Sequence, residues 1–123
     1  MWEVDIELID EWLLSTDDDT YDQVGAAIEI LADFGPALGR PLVDSVVESR
    51  HSNMKELRPG SSGRSEVRIL FAFDPRRKAI LLLAGDKQGT RNKWYRRNVP
   101  IADQLYDEHL ARLTNDKGGK RHD

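Results

Sequence analysis

The chain has 123 residues, of which 39% are hydrophobic and 33% charged, with a formal net charge of −4; this size and balance fit one globular domain with a single modest core. Cysteine is absent, which excludes disulfides, thiolate metal sites and a cysteine nucleophile. No apolar run approaches the roughly 20 residues that span a bilayer, and the acidic first ten residues lack the basic region of a secretory signal, so a cytoplasmic protein is expected.

Trp2, Val4, Ile6 and Leu8 alternate with Glu3, Asp5 and Glu7, a period of two that predicts a strand with one buried face. From Ile9 to Leu14 the rhythm changes, and a short helix begins there. Ser15 to Thr20 is a polar break rich in N-capping residues. Tyr21, Val24, Ile28 and Leu31 then recur at helical spacing, with Ala26, Ala27 and Ala32 among them. Gly35-Pro36 ends that helix, because glycine accepts the left-handed cap and proline cannot continue the ladder. Leu42 to Val47 reads as extended, and Pro59-Gly60-Ser61-Ser62-Gly63 as an open turn or loop.

Val67, Ile69, Phe71 and Phe73 alternate with Arg68, Leu70 and Ala72, the pattern of a central strand. A turn at Asp74–Arg77 leads into the apolar run Ala79 to Ala84, a strand buried on both faces, so the two strands form an antiparallel hairpin. Gly85 to Arg97 is basic and contains Trp94 and Tyr95. Pro100 fits the first turn of a final helix, on which Ile101, Leu105, His109 or Leu110, and Leu113 share a face. The expected architecture is one α+β domain over residues 1–116, with a frayed tail at 117–123. Its N-terminal strand and helices pack on a small antiparallel sheet, followed by a C-terminal helix.

Charge is placed unevenly along this order. Residues 1–49 hold thirteen acidic side chains and one basic one, Arg40. Residues 50–98 hold thirteen basic side chains against Glu56, Glu66, Asp74 and Asp86. The basic centre suits a polyanion such as RNA or DNA, and a solvated surface whose two halves pair with each other accounts for the same charges equally well.

Other chemistry is poorly supported. His51, His109 and His122 lie far apart with no partner at metal-ligand spacing, so no metal site or cofactor is expected. Asp17-Asp18-Asp19 lacks the glycine and distal glutamate of a calcium loop and reads as negative charge at a helix N-terminus. Gly60-Ser61-Ser62-Gly63 opens no helix, and Ser61 and Ser62 show no nucleophile elbow.

The basic centre is different in kind. Arg68 sits on the polar side of a strand, Lys55 and Arg58 lie three apart beside it, and Lys87 follows the buried strand. Arg91, Lys93, Trp94, Tyr95, Arg96 and Arg97 come next. Pairing of the strands as read lines these groups along one concave surface, where cations hold phosphate and aromatic rings stack on bases. Arginine's fixed fork of donors matches phosphate oxygens. RNA cleavage through the neighbouring 2′-hydroxyl needs proton transfer, open to Lys, Tyr or His, and neutralisation of a charged phosphorane, open to Arg and Lys. Taken singly, Lys55, Arg58, Arg68 and Lys87 also read as ordinary surface charges, and Trp94 and Tyr95 as anchors for the last helix.

Three spaced blocks, Met54–Arg58, Gly63–Phe71 and Leu81–Lys87, together with Lys93-Trp94-Tyr95 and the segment from Val99 to Leu110, resemble the RelE/ParE-superfamily toxins, and within them the HigB-like, phage-derived branch. The likeness covers residues 40–113. It implies the toxin half of a type II toxin–antitoxin pair, an mRNA interferase that cleaves mRNA in the ribosomal A site without metal. It also implies a small antitoxin partner of helix-turn-helix type, with operator DNA reached only through that antitoxin, and no membrane. By the same resemblance, the catalytic positions are Lys55, Arg58, Arg68, Lys87 and Tyr95. Arg58 and Arg68 would bind and neutralise the scissile phosphate, Lys55 or Lys87 would act as base or added electrostatic stabiliser, and Tyr95 would stack on a base or assist proton transfer. The expected RNA-binding positions are His51, Arg64, Arg91, Lys93, Trp94, Arg96 and Arg97. ParE-type relatives share the fold and poison DNA gyrase instead, and a nucleic-acid-binding module without activity is a third reading. The sequence pI of about 5.4 departs from the basic character of many ribosome-dependent relatives, which requires the acidic N-terminal part to face away from ribosomal RNA or to serve another contact.

Overall fold

The computed structural model describes residues 1–60 and 66–120. Strands β1 (Glu3–Asp5), β2 (Val43–Ser45), β3 (Lys55–Leu57), β4 (Val67–Phe73) and β5 (Lys78–Asp86) are interleaved with helices α1 (Asp10–Leu14), α2 (Asp18–Phe34) and α3 (Arg91–Lys120). The α+β class is the one expected from the sequence. The strand order is β1-β5-β4-β3-β2. One correction concerns the sheet: β1 runs parallel to β5, with Val4 opposite Ala79, while the other pairs are antiparallel. A parallel neighbour needs a long crossover connection, and everything from α1 to β4 serves as that crossover.

The acid run at residues 17–19 does what its position predicted. Asp17 caps α2 by accepting the Thr20 amide at 2.7 Å, and that bond holds its carboxyl below the usual range. The acidic side chains of α1 and α2 are exposed, while Val24, Ala27 and Leu31 turn inward. They meet Val67, Ile69, Phe71, Ala79 and Leu81 on one face of the sheet. Leu70, Ala72, Ile80 and Leu82 form the other face, covered by Trp94, Val99, Ala102 and Tyr106 of α3. The sheet therefore separates an acidic helical layer from α3.

A β-bulge sets which side chains of β5 face α3. Leu70 pairs with Leu83 and Phe71 with Leu81, so Leu82 is an extra residue in β5. Leu82 and Leu83 consequently both belong to the α3 side, and Ala84 returns to the α2 side. Gly85 then faces α3 so closely that a Cβ there would lie 2.9 Å from the Trp94 Nε1 atom.

The last helix is also corrected. It begins at Arg91, with Pro100 inside it rather than in its first turn. The Trp94 amide donates to the Thr90 carbonyl at 2.8 Å, and burial of Trp94 and Val99 on either side of one turn holds the helix through the bond that proline cannot make. Its inward face is Val99, Ala102 and Tyr106, with Leu105 and Leu110 partly buried, whereas Ile101 is 46% exposed. The backbone remains helical to Lys120, so the expected tail is helical over 117–120 and its last three residues lie outside the described ones. Among the described residues no helix is long and apolar enough to cross a membrane.

Candidate active site

Strand register decides which charges share a face. Glu56 pairs with Leu70 and Lys55 with Phe71. Leu70 belongs to the α3 side and Phe71 to the α2 side, so Glu56 points toward α3 and Lys55 away from it. Arg68 lies opposite Gly85, also on the α3 side. Arg58, Arg68, Lys87 and Tyr95, together with Glu48, Glu66 and Asn92, line a cleft of about 380 Å³.

Glu56 is the buried centre of this arrangement, its side chain only 4% exposed. Its Oε1 atom accepts Arg58 Nη2 at 2.6 Å and Arg58 Nε at 2.8 Å, and its Oε2 atom accepts the Tyr95 hydroxyl at 2.7 Å. Arg58 Nη2 also lies 3.3 Å from Asp44 Oδ2. Burial works against the charged Arg58 guanidinium, but the Glu56 and Asp44 carboxylates outweigh it and raise its pKa. Burial first, and then the Glu56 carboxylate, push the Tyr95 phenol up to about 12, opposed by Arg68. Tyr95 is therefore a neutral proton donor at physiological pH, not a base.

Two further cations complete the cleft. Lys87 is 4% exposed, with Nζ 3.7 Å from Glu66 Oε1 and 5.8 Å from the Tyr95 ring centroid. Arg68 donates through Nη1 to the Val67 carbonyl at 2.8 Å. Its Nε atom is buried without a hydrogen-bond partner, and among the described residues Arg68 forms no ion pair. Of the three cations that line the cleft, Arg58 and Lys87 face carboxylates, and Arg68 is the one with no ion pair among the described residues.

Of the residues expected from the sequence, the structure brings Arg58, Arg68, Lys87 and Tyr95 together and places Lys55 on the opposite sheet face. His51 lies elsewhere, its Nε2 atom 2.7 Å from Asp107 Oδ1 and its ring edge-on to Tyr106. Asp107 is about 18 Å along α3 from Tyr95, at the helical rise of 1.5 Å per residue. Tyr106 stacks in turn on His109, which pairs with Asp74 at 2.8 Å. Trp94 is buried against Gly85, whereas Lys93, Arg96 and Arg97 are exposed on α3. Arg91 opens α3, and Arg64 lies outside the described residues. Sequence reasoning missed Glu48, Asn92 and above all Glu56. The available signal for Glu56 was its spacing of two from Arg58, which puts both on one face of an extended segment.

The Glu56–Tyr95 contact predicts a titration. In a Glu56→Gln variant the phenolate loses a negative neighbour, so the Tyr95 pKa falls from about 12 toward the ordinary value. Ultraviolet titration of phenolate in the native and variant proteins reads the difference; an unchanged curve would mean that burial alone sets the value. The linkage sign follows from the same shift. A raised pKa stabilises the fold fully below the unfolded phenol value near 10, and that contribution is lost as pH rises toward about 12.

The family model for phage-derived proteins of the Gp49-like type matches residues 11–107, a span that contains every described residue of the cleft. The chain belongs to the phage-derived Gp49-like family. Over 120 residues it is 57% identical to "Putative toxin HigB2" of Mycobacterium tuberculosis, an alignment covering 98% of this chain and 60% of that protein. Over 103 residues it is 50% identical to "Putative toxin HigB3" of the same organism, covering 84% of this chain and 88% of that one. The chain thus spans less than two thirds of the first relative's length and most of the second's. Membership in the Gp49-like family, with relatives bearing HigB names, agrees with the likeness to the HigB-like, phage-derived branch read from residues 40–113.

Proposed function

We propose that this chain is the toxin of a type II toxin–antitoxin pair, an mRNA interferase that cleaves mRNA on the ribosome and is neutralised by a cognate antitoxin. The names of two relatives support the toxin assignment. The observation that carries the chemistry is Arg68, a guanidinium with an unpartnered Nε atom and no ion pair among the described residues, in a cleft that also holds Lys87 and Tyr95. The Nε atom itself is buried, so a phosphate would be met through the terminal Nη atoms, with no carboxylate to displace.

In this reading the 2′-hydroxyl oxygen of the substrate attacks the adjacent phosphorus, the bond from phosphorus to the 5′-oxygen breaks, and a 2′,3′-cyclic phosphate and a 5′-hydroxyl end result. Arg68 and Lys87 stabilise the extra negative charge that develops on the non-bridging oxygens. Arg58, fixed by Glu56 and Asp44, adds positive potential from one wall. Tyr95 supplies a neutral hydroxyl and an aromatic ring beside the reacting phosphate. Lys87 is the lysine this cleft offers as a base or stabiliser, since Lys55 faces the other way. The partners are mRNA in the ribosomal A site and an antitoxin of helix-turn-helix type, through which alone operator DNA is reached.

The test is mapping of mRNA 5′ ends in a purified translation system, with and without ribosomes. New ends that form only with ribosomes are expected. Growth arrest without new ends would turn the search to a protein target such as gyrase, and induction without any growth effect would leave a non-catalytic nucleic-acid-binding protein.

A further inference from the structure

The cleft around Arg68 does not end at Tyr95. A second cleft of about 390 Å³ adjoins it, lined by Glu48, Asn92, Tyr95, Arg96, Val99 and Pro100. Glu48, Asn92 and Tyr95 line both. The two differ in character: the first is walled by the cations that suit a phosphate, whereas Val99, Pro100 and the Tyr95 ring give the second an apolar wall. Glu48 stands out within it. Every other carboxylate named around the first cleft, Glu56, Asp44 and Glu66, holds a cation. Among the described residues Glu48 makes no hydrogen bond or ion pair, although Arg96 lines the same cleft.

Glu48 is exposed, so water satisfies it in the free protein; at the edge of an anion-binding cleft its carboxylate disfavours a second phosphate and favours a ligand that presents donors. In single-stranded RNA the group next to a phosphate that offers both a flat apolar face and hydrogen-bond donors is a nucleobase. An ionised carboxylate is an acceptor only. Guanine presents two adjacent donors, N1–H and the 2-amino group, spaced to meet both oxygens of one carboxylate. Adenine presents an amino donor next to a ring acceptor, which faces the second oxygen unfavourably.

We infer that the second cleft is a guanine subsite, in which Glu48 pairs with the Watson–Crick edge of the base adjoining the scissile phosphate. The ring rests on the Val99–Pro100 wall beside Tyr95, and Asn92, with both a donor and an acceptor, serves the remaining polar edge. This assignment rests on the nuclease reading for its biological substrate, but its ligand chemistry can be read without the ribosome. Glu48 is a specificity residue in this scheme, not a proton carrier.

The experiment measures Kd for guanosine 3′-monophosphate and adenosine 3′-monophosphate with the full chain and with Glu48→Gln, by nuclear magnetic resonance titration. The native protein is expected to prefer the guanine nucleotide by about tenfold, the size of a good bidentate base contact, and the ratio is expected to approach one in the variant. Equal affinities in the native protein, a preference that survives Glu48→Gln, or no binding of either nucleotide would overturn the subsite. End mapping on ribosomes adds an independent reading: guanine should be enriched beside the cut, and the enrichment should be lost in the variant. If Glu48→Gln abolished cutting beside all four bases alike, Glu48 would be a catalytic group and the specificity role would be wrong. If the native protein produced no ends at all, the nuclease reading would fail by itself, while the nucleotide ratio would still decide the subsite.

Discussion

If the chain is the mRNA interferase proposed above, Arg68→Ala is expected to lower ribosome-dependent cleavage by about two to three orders of magnitude, the usual cost of removing one donor that stabilises transition-state charge. The loss arises because the other cations of the cleft are already engaged: Arg58 by Glu56 and Asp44, Lys87 by Glu66. Folding should survive, since the Arg68 side chain donates to the Val67 carbonyl and otherwise acts on the Tyr95 hydroxyl, which Glu56 still holds, and thermal unfolding checks this directly. Arg68→Lys keeps the charge and loses the fork of donors, so an intermediate rate is expected. Lys55→Ala is the informative companion. Lys55 pairs with Phe71 on the opposite face of the sheet, and its removal should cost far less than that of Arg68. Comparable losses from both variants would place the chemistry outside this cleft. Quantified end mapping provides the rates, and retained binding of the antitoxin shows that a silent variant is still a folded toxin.

Gly35→Ala destabilises the fold by about 4 kcal/mol, combining backbone strain with overpacking. Gly35 adopts φ of 59°, and a Cβ there would lie 2.3 Å from the Trp2 Nε1 atom. Trp2 has little freedom to retreat. Its amide donates to the Ala32 carbonyl at 2.8 Å, its ring meets Phe73 edge-on at 5.5 Å, and Arg77 lies 4.7 Å above it. Gly89 is the comparison without a clash, with φ of 69° and nothing within 4 Å of its would-be Cβ. Gly89→Ala should therefore cost only the conformational part, about 1–2 kcal/mol. Denaturant unfolding of both variants gives the comparison, and equal costs would show that Trp2 moves aside without penalty.

Much of this architecture was legible from residue periodicity. The hairpin of β4 and β5, the capped and glycine-stopped α2, and the short strand at the N-terminus all follow from local patterns that agree with the final packing. The start of α3 was not legible, because a run of basic residues before Pro100 carries no apolar stripe. Trp94 and Val99 supply the burial there, and proline's preference for a first turn pointed to the wrong boundary. The parallel pairing of β1 was hidden for another reason: direction depends on where the chain returns, not on the strand itself.

At the site, the residue types were legible and the faces were not. Charge and spacing mark Arg58, Arg68 and Lys87 as part of a basic centre, the resemblance is what implies a catalytic set with Tyr95, and Lys55 is grouped with them although it is one residue out of phase with Glu56. Lys87 reaches the cleft only because the Leu82 bulge shifts the alternation of β5, and no residue near Leu82 announces a bulge. Glu56 was invisible because a buried carboxylate is unfavourable until its two partners, Arg58 just past β3 and Tyr95 on α3, are known to converge on it.

The sheet that divides the acidic helices from α3 also governs how the molecule meets a polyanion from a distance. The outer carboxylates of α2 lie beyond the sheet by at least a helix diameter, about 10 Å, whereas charges in physiological salt are screened over about 8 Å. An approaching phosphate chain therefore meets the local field of the cleft and α3 rather than the formal net charge of −4. In weaker electrolyte the far carboxylates come into range and repel, while the dipole across the sheet turns the cleft toward the chain. These influences oppose each other, so the encounter rate with RNA should peak at an intermediate ionic strength instead of rising steadily as salt is removed.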